Sequence, residues 1–244
     1  MDSGMGKVLI YGGSGAVGEA TARLLSHQGR EIHLAGTDEQ GLRQLAEELD
    51  CSFTVADVRD PEAFGRVSVQ AGRELEGLVY AVGTINLKSI RRLTPDDWME
   101  DFRINALGAA LALQGSLSAL KKSGPGASVV FYSSIAARQG FSLHGSLSMA
   151  KAAVEGLVVS MAAELAPGIR VNAIAPSLLD DSGLSANLLA GEKAREELAY
   201  RHPLKRLGTP GDIASLTAFL LSAQAGWITG QVIGVDGGRS TNSN

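Results

Sequence analysis

Short apolar runs alternate with helix-period segments along almost all of this chain, and that alternation sets the fold class. Val8-Leu9-Ile10-Tyr11, Ile32 to Ala35, Phe53 to Val55, Leu78 to Tyr80, Val129 to Tyr132, Ile169 to Ile174 and Val232 to Val235 read as strands. Helical patterns fall between them: Ala16 to Gln28, Leu42 to Leu49, a segment opened by Pro61, Thr94 to about Lys122, Ser146 to Leu165, Glu192 to Tyr200 and Asp212 to Ser222. The start at Thr94 is the clearest, with a hydroxyl cap followed by Pro95, Asp96 and Asp97 at the positive end of the helix dipole. Strands that are apolar on both sides need cover on both faces. The expected architecture is therefore α/β, a doubly wound sheet of about seven parallel strands with helices on both faces. The 244 residues suit a single domain over 1–244. The least regular stretch, 177–202, is long for a connection and is a candidate substrate lid.

Charge and cysteine usage narrow the expected partners. The net charge is −4, which gives no electrostatic footprint for nucleic acid or an anionic membrane. A small-molecule substrate is expected instead. No apolar run reaches the ~20 residues of a membrane helix, and Met1 to Gly6 reads as too short and polar for a signal peptide. Cys51 is the only cysteine, so an internal disulfide is excluded and a cytoplasmic location is expected. No metal is called for.

The first strand runs into Gly12-Gly13-Ser14-Gly15-Ala16-Val17-Gly18. Gly13, Gly15 and Gly18 have the G-x-G-x-x-G spacing between a strand and a helix. Such glycines permit a tight turn and let a pyrophosphate approach the backbone at a helix N-terminus. The alternative is a glycine-rich turn with no ligand. At the end of the second strand an acid would hold a ribose and favour NAD, but Gly36 stands there. That leans to NADP, with Thr37 offering a hydroxyl, while NAD stays open. Asp38 either reaches the ribose or simply caps the next helix.

Further segments bear on function: Asp57-Val58, Phe102-Arg103-Ile104-Asn105, Ser133-Ser134, Lys151 to Leu157, Arg170 to Pro176, Leu204 to Gly208, and Thr229 through Gly238. Together they resemble the short-chain dehydrogenase/reductase family over nearly the whole chain. The resemblance implies a Rossmann-type fold and NAD(P)(H)-dependent oxidoreduction of a carbonyl, an alcohol or an activated double bond. It also implies assembly of like chains into a tetramer or dimer. It places cofactor contacts at Gly12, Ser14, Gly15, Ala16, Val17, Gly18, Thr37, Asp57, Val58, Ala81, Gly83, Lys151 and Pro176. Its catalytic positions fall on Ser134, which would polarise oxygen, Lys151, which would hold the nicotinamide ribose, and Asn105, which would hold a water.

One departure outweighs the matches. The family's tyrosine lies four residues before its lysine, and four before Lys151 is Leu147. Ser134 falls where the serine should, so the register is intact. Tyr11 replaces the usual threonine before the glycine loop, and Asp180-Asp181 follow where relatives often carry threonine. Leucine does no proton chemistry, and a general acid is typically worth about 10²–10⁴-fold. His144 is the candidate replacement, since histidine titrates near neutral pH. It also reads simply as a packing histidine. Ser134 also reads as a strand end, Asn105 as a helix-kink residue and Lys151 as a ribose contact alone. Two functions therefore stand: an oxidoreductase with an unusual proton donor, or a catalytically impaired cofactor-binding or regulatory protein.

Overall fold

The computed structural model describes residues 7–180 and 191–241. Strands β1 (Val8–Tyr11), β2 (Ile32–Gly36), β3 (Ser52–Val55), β4 (Gly77–Tyr80), β5 (Ala127–Tyr132), β6 (Ile169–Pro176) and β7 (Val232–Val235) form one sheet. Their order is β3-β2-β1-β4-β5-β6-β7, and every pairing is parallel. The chain order reverses between β1 and β4, which opens a crevice at the carboxyl ends of the strands.

Residues alternate between the two faces, so the central strands feed two cores. Leu9, Tyr11, Leu78, Tyr80, Val129 and Phe131 pack under α3 (Ala63–Ala71), α5 (Gly108–Lys122) and α6 (Gly145–Leu165). Val8, Ile10, Val79 and Val130 pack under α1 (Ala16–His27), α2 (Glu39–Leu49) and α8 (Pro210–Leu221). Each such side chain contributes roughly 1.5–3 kcal/mol by leaving water. Only the inner strands are buried on both faces. The edge strands β3 and β7 stay partly exposed. Two further helices, α4 (Pro95–Phe102) and α7 (Glu192–Tyr200), complete the described set.

Several expected boundaries move, each for a local reason. Pro61 does not open α3. Asp60 accepts the Glu62 N–H with its side chain and the Ala63 N–H with its carbonyl, so 61–62 form a turn and the helix begins at Ala63. α8 starts at Pro210, two residues earlier than expected, because Thr209 and Asp212 form a reciprocal capping box. The helix expected from Thr94 to Lys122 is split by a π-helical turn over Arg103–Leu107. α6 is, by length and composition alone, long and apolar enough to cross a membrane, contrary to the sequence expectation. Its buried face carries Lys151 and Val154 and packs on β6, which marks a core helix. Part of the expected lid, residues 181–190, lies outside the described residues.

The β1–α1 turn positions everything at the crevice. Gly12 has φ +76°, and a Cβ there would lie 2.7 Å from the Ala81 carbonyl oxygen. A Cβ on Gly18 would lie 2.0 Å from the Gly12 carbonyl oxygen, whereas one on Gly15 would meet nothing closer than 3.3 Å. Gly18→Ala is therefore expected to cost about 1–3 kcal/mol in urea unfolding, the range for overpacking against fixed backbone. Gly15→Ala should cost distinctly less.

Candidate active site

A cavity of about 430 Å³ opens at the carboxyl ends of β4, β5 and β6. It brings together Ala81, Gly83, Asn105, Ser134, His144, Leu147, Lys151 and Pro176, residues spread over almost a hundred positions of sequence. Val17 of the glycine loop reaches the same space.

Asn105 owes its position to the π-helical turn. The Gly108 N–H bonds the Arg103 carbonyl, five residues back, instead of the Ile104 carbonyl. The freed Ile104 carbonyl accepts the Tyr80 hydroxyl at 2.7 Å. Gly108 makes room for it, since a Cβ there would fall 2.0 Å from the Tyr80 Oη. The Asn105 amide then donates to the Asp101 carbonyl at 2.9 Å and to Thr84 Oγ1 at 3.0 Å. Below it, the fully buried Asp101 accepts from Thr84 and Asn86, and its Oδ2 has no partner among the described residues. Asn105 is thus both a kink residue and a cavity residue.

Lys151, on α6, approaches Gly83 beside Asn105. Its Nζ donates to the Tyr132 carbonyl at 2.8 Å. Burial pushes its pKa down to about 8, and the Asp101 charge opposes that shift. Ser134 caps the short 3₁₀ turn Ile135–Ala137 by accepting the Ala136 N–H at 3.2 Å. That contact occupies a lone pair and leaves its O–H free to donate. Its neighbour Ser133 is buried and donates to Glu155 at 2.9 Å, tying β5 to α6. Leu147 is 5% exposed and presents carbon to the cavity. His144 sits just before α6, its ring tilted 46° against that of Phe141 with centroids 5.5 Å apart. Its Nδ1 lies 2.7 Å from the Ser142 carbonyl, so Nδ1 carries the proton and Nε2 is left to exchange one. Ser146 is fully buried with no hydroxyl partner among the described residues, and neither Ser146 nor Ser148 lines the cavity.

The structure can be tested for a dinucleotide. Gly12, Ser14, Gly15, Ala16, Val17 and Gly18 wrap the N-terminus of α1, and Gly15 occupies its cap position without a side chain. That leaves the first amides of α1 open to an anion, an arrangement whose chemistry fits a pyrophosphate. Thr37 is exposed at the end of β2. Asp38 accepts the Gly41 N–H and caps α2, the reading that needs no cofactor. Asp57 accepts from the Arg59 backbone, and Val58 is buried beside it. Asp180 pairs with Arg195, while Asp181 lies outside the described residues.

Sequence reasoning missed several residues. Asp101 stands four before Asn105, a spacing that puts both on one helix face and was available as a signal. Arg201, Arg239 and Phe141 also line the cavity, and nothing in their spacing announced it. His202 is buried, bonded through Nε2 to Ser177 at 2.8 Å and through Nδ1 to the Leu198 carbonyl at 2.9 Å. It joins the end of β6 to α7, and burial holds its pKa below the usual histidine range.

Known proteins resemble this chain in sequence and fold. A family model described as enoyl-(acyl carrier protein) reductase matches residues 13–240. A tropinone reductase homolog of Arabidopsis thaliana is 36% identical over 244 residues, covering 96% of this chain and 79% of that protein. The inactive 2-(S)-hydroxypropyl-CoM dehydrogenase 2 of Xanthobacter autotrophicus is 33% identical, over 89% of this chain and 98% of its own. The crystal structure of a short-chain dehydrogenase/reductase (glucose/ribitol dehydrogenase) from Brucella melitensis superposes with a TM-score of 0.90 at 27% identity, over 98% of this chain and 99% of that one.

Asn105→Ala removes the amide that satisfies the Asp101 carbonyl. It is expected to lower stability by about 1–3 kcal/mol, the cost of orphaning a buried acceptor. The urea midpoint checks this, and an unchanged midpoint would mean that Tyr80 alone holds the turn.

Proposed function

We propose that this chain, which belongs to the short-chain dehydrogenase/reductase family, is an NAD(P)(H)-dependent oxidoreductase whose proton donor is not a tyrosine. Its substrate is a carbonyl, an alcohol or an activated double bond. The carrying observation is that Ser134, Lys151 and Asn105 share one cavity with His144, while Leu147 occupies the position four before Lys151.

The bound cofactor supplies or accepts the hydride. This chain's residues do the rest. The glycine loop from Gly12 to Gly18 holds the phosphates, Asp57 and Val58 flank the adenine, and Ala81, Gly83 and Pro176 line the reacting end. NADP is favoured because Gly36 offers no acid and Asp38 is engaged as a cap. Thr37 then takes the 2′-phosphate. Lys151, already bonded to Tyr132, turns its remaining N–H groups to the ribose. The free O–H of Ser134 polarises the substrate oxygen, and Asn105 holds a water beside it. His144 gives or takes the proton through Nε2. Leu147 keeps water from the reacting carbon. An assembly of like chains would cover Met99, Leu107, Met149 and Val159, which are exposed along α4 to α6.

A second reading is favoured by the same leucine. A relative called inactive is 33% identical to this chain, and a cofactor-binding or regulatory protein without turnover would keep the loop and Lys151. The two readings part on activity, since both bind cofactor.

Fluorescence titration is expected to show NADPH binding in the micromolar range and more tightly than NADH. No binding of either at millimolar concentration would sink both readings. Lys151 is charged below its pKa of about 8, so affinity should fall as pH rises through that value and become flat in Lys151→Met. With a turned-over ketone, His144→Ala should lower kcat by about 10²-fold or more, within the usual worth of a general acid, and Ser148→Ala should not. Equal, negligible effects would dismiss His144. Leu147→Tyr should create or raise generic ketone reduction. Failure in a folded, cofactor-binding variant would show that the surrounding pocket has diverged as well.

A further inference from the structure

The cavity that holds Ser134 and Lys151 also takes in two arginines, Arg201 and Arg239. Much of the remaining lining is apolar, with Ile135, Leu147, Leu178 and Leu198. Arg201 ends α7, and Arg239 follows β7 with its guanidinium over the Phe141 ring at 5.3 Å. Neither has a carboxylate partner among the described residues. Nearby arginines differ: Arg195 pairs with Asp180, Arg206 with Asp212 and Arg138 with Glu155. Arg201 and Arg239 also lie close enough to repel. Burial first, and then the Arg201 charge, hold the Arg239 pKa below its ordinary value. Arg239 is half-buried and Arg201 exposed at the same cavity, so an anion placed between them would meet two guanidinium groups, one already partly out of water.

We propose that Arg201 and Arg239 form the anion-binding end of the substrate site. The substrate is then a short ketone or alcohol that carries an oxyanion (carboxylate, sulfonate or phosphate) at the far end of an apolar spacer. The guanidinium forks suit such groups, which accept two N–H bonds side by side. Keeping NADPH bound in the test separates this anion from the cofactor's own phosphates. The glycine loop follows β1, and Arg239 follows β7, beyond β4, β5 and β6 in the sheet. This inference deepens the oxidoreductase reading and rests on it for the chemistry at the other end, but not for the binding of the anion.

The test uses the full chain with NADPH present and four probes: levulinate, its neutral methyl ester, acetonylsulfonate and acetonylphosphonate. Calorimetry should show levulinate binding about tenfold or more tightly than methyl levulinate, the scale of one charge-assisted contact. The sulfonate and phosphonate arms then rank the oxyanions. Arg201→Gln with Arg239→Gln should abolish the preference without lowering Tm, and Arg239→Lys should restore part of it. Acid and ester binding equally, or no anionic probe binding at millimolar concentration, overturns the proposal. So does a preference that survives the double variant. Turnover is read separately by NADPH absorbance. A ketone reduced with no preference for the acid keeps the oxidoreductase and removes the anion site. An acid preference in binding without any turnover keeps the anion site and removes the oxidoreductase reading. Where turnover occurs, Arg239→Gln should raise KM about tenfold and leave kcat nearly unchanged, because the contact is made equally before and during reaction.

Discussion

The parallel hydrogen-bond ladder from β3 to β7 governs every other placement in this molecule. Parallel strands must all end at the same edge, so each crossover helix returns the chain to the opposite edge before the next strand begins. Every loop leaving a carboxyl end is thereby delivered to one side of the sheet. The glycine turn after β1, the Ala81–Gly83 segment after β4, the serines after β5 and Pro176 at the end of β6 meet there for that reason. No local preference of those loops would bring them together.

Within that frame the polar groups of the cavity are held from behind. Lys151 is fixed by a main-chain carbonyl of β5, Asn105 by Thr84 and the Asp101 carbonyl, and Ser134 by the amide of the turn that it caps. Each bond leaves the working atom some hydrogen-bonding capacity. Leu147, set among them, makes the cavity less polar. A less polar cavity strengthens whatever charge interactions remain in it. A leucine at this point therefore removes one proton-transfer group while raising the weight of the others.

The fold was largely legible in the sequence because period and punctuation agree. The strands around Ile10, Val79 and Val130 are short, apolar on both sides and followed by helix starts, which admits little besides a covered parallel sheet. The edge strands escaped part of that description, since β7 is only half covered where the sequence pattern looks central. The split helix after Pro95 was not legible. Its residues form α-helix readily, and the π turn is a tertiary effect of the Tyr80 hydroxyl reaching the Ile104 carbonyl. The candidate site positions came from the family resemblance, whose motif spacing carries over along helix faces and strand ends. Arg201 and Arg239 were invisible because their meeting depends on how α7 and the segment after β7 close over the cavity. No periodicity records that closure.

The fit between Tyr80 and Gly108 carries a consequence for change in this chain. One position supplies a hydroxyl and the other an absent methyl, and the same few cubic ångströms serve both. A side chain at 108 is tolerable only if the ring at 80 gives up its oxygen, and even a phenylalanine at 80 leaves its ring carbon 3.0 Å from a Cβ at 108, so the ring must also give a little. Residues 80 and 108 should therefore vary as a pair across descendants of this sequence.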